Sequence, residues 1–97
     1  MCRTYAEVAM RARVIVHGFV QGVWFRESCK RIAEQQGVVG WVRNRSDGTV
    51  EAVFEGDPQP VSVVVSWCRI GPPRAEVTRI EVTEETPEGL VTFAVRR

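Results

Sequence analysis

The stretch Val16-His17-Gly18-Phe19-Val20-Gln21-Gly22-Val23-Trp24-Phe25-Arg26 constrains this chain more than any other. Before it lies an apolar, β-branched run, Ala12 to Val16, with the character of a buried strand. After it, Phe25, Cys29, Ile32 and Ala33 fall at i, i+4, i+7 and i+8, one stripe of an amphipathic helix. A strand that runs through a glycine-bounded loop into a helix N-terminus aims several backbone N–H groups at one point, a concave nest for an anion. Arg26 falls in the first turn of that helix, beside the nest. Amide dipoles and one forked guanidinium suit a compact, multiply charged oxyanion such as phosphate.

The remaining elements follow in order. The first strand spans Arg11 to Val16, and Gly37 supplies the left-handed stop of the first helix. Cys29 lies on the buried stripe, where a small core residue is expected rather than a reactive thiol. Val38 to Arg43 and Thr49 to Phe54 read as strands joined by Asn44-Arg45-Ser46-Asp47-Gly48, a polar, Asp-Gly-containing hairpin connection. Asp57 and Pro58 mark a helix entry, and Val61, Val64, Val65 and Cys68 give its buried stripe. Gly71, Pro72 and Pro73 stop it. Glu76 to Thr83 reads as a strand with one wet face, and Leu90 to Val95 as the last strand. This order, βαββαβ plus a short C-terminal strand, predicts an α+β fold: a ferredoxin-like two-layer sandwich, an antiparallel sheet with two helices on one face.

Ninety-seven residues make one domain, and 44% hydrophobic with 26% charged residues is ordinary globular composition. We divide the chain into an N-terminal extension, residues 1–10, and a domain over 11–97, with Met10 an alternative start. The net charge of +1 argues against a general nucleic-acid binder. It is unevenly spread: residues 1–45 hold eight Lys/Arg against three acids, a net of +5, and residues 46–97 five against nine, a net of −4. The nest lies in the positive half. Cys2, Cys29 and Cys68 are odd in number and spaced like no metal or redox motif, so a reduced, cytoplasmic setting is expected. His17 and scattered thiols supply no zinc-ligand pair. No run approaches the roughly 18 apolar residues of a membrane span, so no membrane association is expected.

In this topology strand one neighbours strand three, and the hairpin returns alongside, which brings Asn44 near the nest. A carboxamide can donate to and accept from one water, whereas Arg26 can only donate. Amides, one arginine and one asparagine, without a nucleophilic triad, point to attack by a positioned water on a bound phosphoryl group. So little apparatus demands a good leaving group, such as the carboxylate of an acyl phosphate.

Gly18-Phe19-Val20-Gln21-Gly22-Val23-Trp24-Phe25-Arg26 is similar to the first signature of the acylphosphatase family. Gly40-Trp41-Val42-Arg43-Asn44, continuing through Gly48, Val50 and Gly56, resembles the second. The resemblance covers about Arg11 to Val95. It implies hydrolysis of acyl phosphates to a carboxylate and inorganic phosphate without metal or cofactor, with inorganic phosphate expected as a product inhibitor; the low cysteine and ordinary apolar content make a monomer the default. By that likeness Arg26 holds the phosphate, the backbone N–H groups of Phe19, Val20, Gln21, Gly22 and Val23 cradle its oxygens, and Asn44 positions the water. The family allows the phosphate itself to take the proton.

Other readings attach to the same residues. Gln21 is expected to act through its amide, His17 to be structural, and Arg43 and Arg45 to flank the hairpin as solvated charges. Trp24 and Trp41 can wall the site or pack, and packing is the simpler expectation for both. A non-catalytic phosphate or carbamoyl-phosphate binding module is the alternative function. The absence of a linker or second domain after the last strand favours a free-standing enzyme. An RNA-binding ferredoxin-like domain would want exposed aromatics on its strands, and no such run is present. A shallow nest would discriminate poorly among carbamoyl phosphate, acetyl phosphate, 1,3-bisphosphoglycerate and protein aspartyl phosphates.

Overall fold

In the computed structural model of the chain, which describes residues 9–96, the first strand, β1 (Met10–Phe19), outruns its apolar segment at both ends. Residues 1–8 of the expected extension, Cys2 among them, lie outside the described residues, and Met10 already pairs with Gly56. At the other end the strand continues through Gly18 and Phe19 because a bulge after His17 lets them pair with Val77 and Glu76. A Cβ on Gly18 would stand 2.0 Å from the Glu76 carbonyl oxygen, so this glycine serves strand pairing rather than the loop.

The helix α1 (Phe25–Gln35) follows, then β2 (Val39–Asn44), β3 (Val50–Gly56), helix α2 (Pro58–Cys68), β4 (Glu76–Glu85) and β5 (Phe93–Arg96). The strands stand in the order β4-β1-β3-β2-β5. Pairings β1–β3, β1–β4 and β2–β3 are antiparallel, as expected, whereas β5 lies parallel to β2, so the sheet is mixed at that edge. Helix α1 covers β2 and β5, α2 covers β1 and β3, and the helices touch, which makes the two layers of the ferredoxin-like sandwich. Gly37, at φ 71°, ends α1 as expected. Asp57 occupies the N-cap of α2 but makes no side-chain capping bond, so that start rests on Pro58 in the first turn.

The period-2 alternation of the strands decides what lies between the layers. Ala12, Val14 and Val16 of β1, Val42 of β2, and Val50, Ala52 and Phe54 of β3 all face the helices and are buried. Phe25, Cys29 and Ala33 of α1 meet them, with Val61, Val64 and Cys68 of α2. Each buried valine or phenylalanine among them contributes about 1.5–3 kcal/mol. Cys29 and Cys68 are free thiols where the helices meet, and burial, with the contact to Cys68, holds the Cys29 thiol well above its ordinary pKa. The core reading of Cys29 therefore stands.

The opposite face of the sheet is built from charge. Arg11 pairs with Glu55 at 2.7 Å and with Glu85 at 2.9 Å, and Arg13 bridges Glu85 and Glu51. Arg43 closes the row on Glu51 at 2.7 Å, so it is no simple solvated charge. Trp41 lies beneath the guanidinium of Arg96, 4.3 Å from its ring centre, with those of Arg13 and Arg43 farther out. Glu55 is wholly buried and accepts the N–H groups of Glu88, Gly89 and Leu90 at 2.8, 3.1 and 3.1 Å. That carboxylate takes the Leu90 amide out of reach of the sheet, and the last strand starts at Phe93 rather than Leu90.

Candidate functional site

The loop between β1 and α1 is held by what it buries. Val20 and Val23 are sunk in the core with Phe25, so Gly22 and Trp24 between them are turned outward. Two residues take the left-handed conformation that bends a loop into a nest: Gly22, at φ 74°, and Trp24, at φ 67°. Trp24 is also the N-cap of α1, and its carbonyl accepts the Ser28 N–H at 3.0 Å, which closes the first helical turn. The N–H groups ahead of that bond have no partner within the helix. Among the described residues, no hydrogen bond outside the helices and strand ladders takes an N–H between Val20 and Trp24. Phe19 differs, since it is the last residue of β1 and pairs with Glu76.

Arg26 lies in the first turn of α1, half-buried, and donates from one terminal nitrogen to the Arg96 carbonyl of β5 at 3.1 Å. That bond spends one of five guanidinium N–H groups and orients the rest. Asn44 is the last residue of β2, paired with Val50, and shares the helix-facing side of the strand with Val42. Among the described residues its carboxamide is bonded to no protein group, so both its donor and its acceptor are available.

Loop and strand end are tied by Gln21. Its side-chain nitrogen donates to the Arg45 carbonyl at 2.7 Å and to the Thr49 carbonyl at 2.9 Å, the two oxygens at the neck of the β2–β3 hairpin. The same oxygens also accept within the hairpin, from Gly48 and Arg45 respectively. Asp47 shapes the turn beyond: the Thr49 hydroxyl and N–H both donate to it, holding its carboxyl below the usual range. The sequence points to the Gln21 amide and misses this side-chain clasp. Its one signal was a hairpin neck with carbonyls to satisfy and a nearby carboxamide two residues past the strand.

These elements enclose a cavity of about 600 Å³. Of the residues expected at the site, Val20, Gly22, Arg26 and Asn44 line it. Phe19, Gln21 and Val23 do not: Phe19 is exposed, Gln21 is turned to the hairpin and Val23 is buried. Trp24, Phe25, Glu27 and Arg31 complete the wall, so the cavity extends along α1 beyond the nest. Trp24 and Trp41 part company here, the first at the cavity and the second packed on the far face of the sheet. His17 stands away from the cavity, bonded to Glu81 on β4, whose carboxyl it holds below its ordinary range. Among the described residues no three His, Cys, Asp or Glu side chains are grouped to share a metal ion, and no helix is long and apolar enough to cross a membrane.

Comparison with known proteins gives a consistent result. The family model described as Acylphosphatase matches residues 12–95. An acylphosphatase of Gloeobacter violaceus is 55% identical over 89 residues, 92% of this chain and 96% of that protein. One of Thermococcus kodakarensis is 56% identical, over 89% of this chain and 94% of that protein. The solved structure of an acylphosphatase from Coxiella burnetii superposes with a TM-score of 0.89 at 38% identity, covering 93% of this chain and 95% of that one. The chain belongs to the acylphosphatase family.

Proposed function

We propose that this member of the acylphosphatase family hydrolyses the carboxyl–phosphate anhydride of small acyl phosphates by direct attack of water, with no metal or cofactor. The carrying observation is the convergence of Arg26, the β1–α1 loop and Asn44, from three separate elements, on one cavity. The phosphoryl group sits in the nest, its oxygens on the N–H groups of Val20 to Val23 and on the guanidinium of Arg26; the Phe19 N–H, paired in β1, is left out of the expected set. The α1 N-terminus adds the positive end of its dipole. Asn44 accepts one hydrogen of the attacking water and donates to the same water, which fixes the line of approach.

The water oxygen forms a bond to phosphorus while the bond from phosphorus to the acyl oxygen breaks, and the electron pair leaves with the carboxylate. A carboxylic acid has a pKa of about 4, so the leaving group needs no proton. The proton lost by the water passes to a phosphoryl oxygen, and dihydrogen phosphate or its conjugate base is released as the product that competes for the nest. Catalysis is then a matter of fixed donors facing developing negative charge, where each donor is worth about 2.7–4 kcal/mol, roughly a hundred- to thousandfold in rate.

The test is a spectrophotometric assay of benzoyl phosphate in EDTA, with Arg26→Ala and Asn44→Ala beside the wild type. We expect turnover that survives the chelator. Arg26→Ala should lose both turnover and inhibition by phosphate; Asn44→Ala should lose turnover and keep inhibition. Loss of phosphate affinity in both would contradict the division of roles. Phosphate binding without turnover in the wild type would make the domain a binding module.

A further inference from the structure

Three tryptophans on this chain meet three different fates. Trp41 lies under guanidinium groups, and Trp67 packs against Phe25 with ring centres 5.2 Å apart. Trp24 is 70% exposed, and among the described residues no ring or guanidinium packs against it. It is also the one non-glycine residue with positive φ among those described, in a conformation that bulky L side chains rarely adopt. Glycine would sit there without strain, as Gly22 does two residues earlier. An indole that neither packs nor suits its backbone lines the cavity alongside Arg26 and Asn44. The cavity, at about 600 Å³, is also far larger than a phosphoryl group fills.

We propose that the Trp24 indole is the platform for the acyl group, and that the preferred substrates are acyl phosphates whose acyl portion is flat and apolar. This rests on the hydrolytic reading above. A phosphoryl group held by the loop amides has Trp24 as the neighbouring wall, so the acyl carbon and its substituent lie along the indole face. An aromatic acyl group gains an offset-stacked contact there and an acetyl group gains little. The nest supplies affinity common to all acyl phosphates, and Trp24 supplies the discrimination that the nest lacks.

The experiment compares kcat/KM for benzoyl phosphate and acetyl phosphate in the wild type, Trp24→Gly and Trp24→Phe. The ratio of the two cancels any change in loop geometry or in the fraction of active protein, because both substrates share the nest, Arg26 and Asn44. Trp24→Gly should lower the benzoyl-to-acetyl ratio about five- to tenfold, and Trp24→Phe, which keeps a flat ring, should hold it within about twofold. Trp24→Asn, which tolerates the left-handed backbone, gives the same reading if the glycine variant does not fold. A ratio unchanged within about twofold in the variant lacking the ring overturns the proposal, even if both rates fall together. A wild type that hydrolyses neither compound overturns the hydrolytic reading instead, and this proposal with it.

Discussion

Two stretches of this chain curl their backbone N–H groups around a point, and they differ in what occupies it. At residues 88–90 the amides close on the Glu55 carboxylate, with Arg11 beside it and Gly89 at φ 81° making the bend. Burial there works to raise the Glu55 pKa, but the three N–H donors and the guanidinium outweigh it and hold the carboxyl below its ordinary range. At residues 20–24 the bend is made by Gly22 and Trp24, the nearby guanidinium is Arg26, and no carboxylate of the chain is bonded to the loop amides among the described residues. One concavity is satisfied within the fold and serves cohesion. The other holds no anion of the chain among the described residues, and on the proposed function it takes the phosphoryl group. On that reading, similar backbone chemistry yields a structural joint or a binding site according to whether the chain supplies its own anion.

The widest contrast comes from removing the anion in the first and the cation in the second. Glu55→Ala leaves three partly buried amides without their acceptor and takes from the buried Arg11 guanidinium one of its carboxylates, and should cost about 3–5 kcal/mol of stability, read from urea unfolding. At roughly 4–8 °C per kcal/mol, the melting temperature should fall by more than about 10 °C. Arg26→Ala should leave stability within about 1 kcal/mol and remove about 2.7–4 kcal/mol of transition-state stabilisation, read as kcat/KM. If Arg26→Ala unfolds the protein, or Glu55→Ala merely slows it, the two concavities are not opposites.

Supplying the missing anion sharpens the same point. Inorganic phosphate at about a hundred times its dissociation constant should stabilise the wild type by about 2.7 kcal/mol. The gain should persist in Asn44→Ala and vanish in Arg26→Ala, as seen in thermal melts with and without phosphate. Acid probes the other concavity. Hydrogen bonds from Arg13 and Arg11 hold Glu85 at about 2 against an ordinary 4.5, and Glu51 and Glu55 are lowered as well. Carboxyls depressed in the folded state add stability that is fully present above the unfolded pKa and lost as pH falls through the folded one. Urea midpoints should therefore hold steady near neutrality and decline from about pH 4.5 toward 2. The smallest effect concerns Gln21→Ala, which should cost about 1 kcal/mol for the two lost bonds. It should lower kcat more than it raises KM, because it frees Asn44's strand end from the loop while leaving the nest and Arg26 in place.

The sequence carried the site's ingredients better than its surroundings. The periodicities at Phe25, Cys29 and Ala33 and at Val61, Val64 and Cys68 located both helices, because burial on one face leaves a period in the sequence. Arg26 and Asn44 were placed near one another by topology, and they share the cavity. What escaped depends on partners distant in sequence. Glu51 and Glu55 drew no reading from the sequence, yet both are buried, for their face meets Arg11, Arg13 and Arg43 and the chain at residues 88–90. Two arginines at alternate positions of β1 facing two glutamates at alternate positions of β3 was the available signal. The Gly18 approach to Glu76 and the parallel β5 edge depend likewise on long-range pairing, which no local pattern encodes.

The hydrogen bond from Arg26 to the Arg96 carbonyl has a consequence in time as well as in space. The loop that would grip phosphate is synthesised early, but β1, which carries it, needs β4 at its side, and the guanidinium is oriented by a peptide group seventy residues downstream. A nascent chain that has emerged only through the hairpin holds the binding loop and Asn44 yet lacks the contacts that set them. On the proposed function, phosphate binding waits for β5: a ribosome-bound chain that stops at the hairpin is expected to be silent toward phosphate, and competence to arrive once Arg96 is in place.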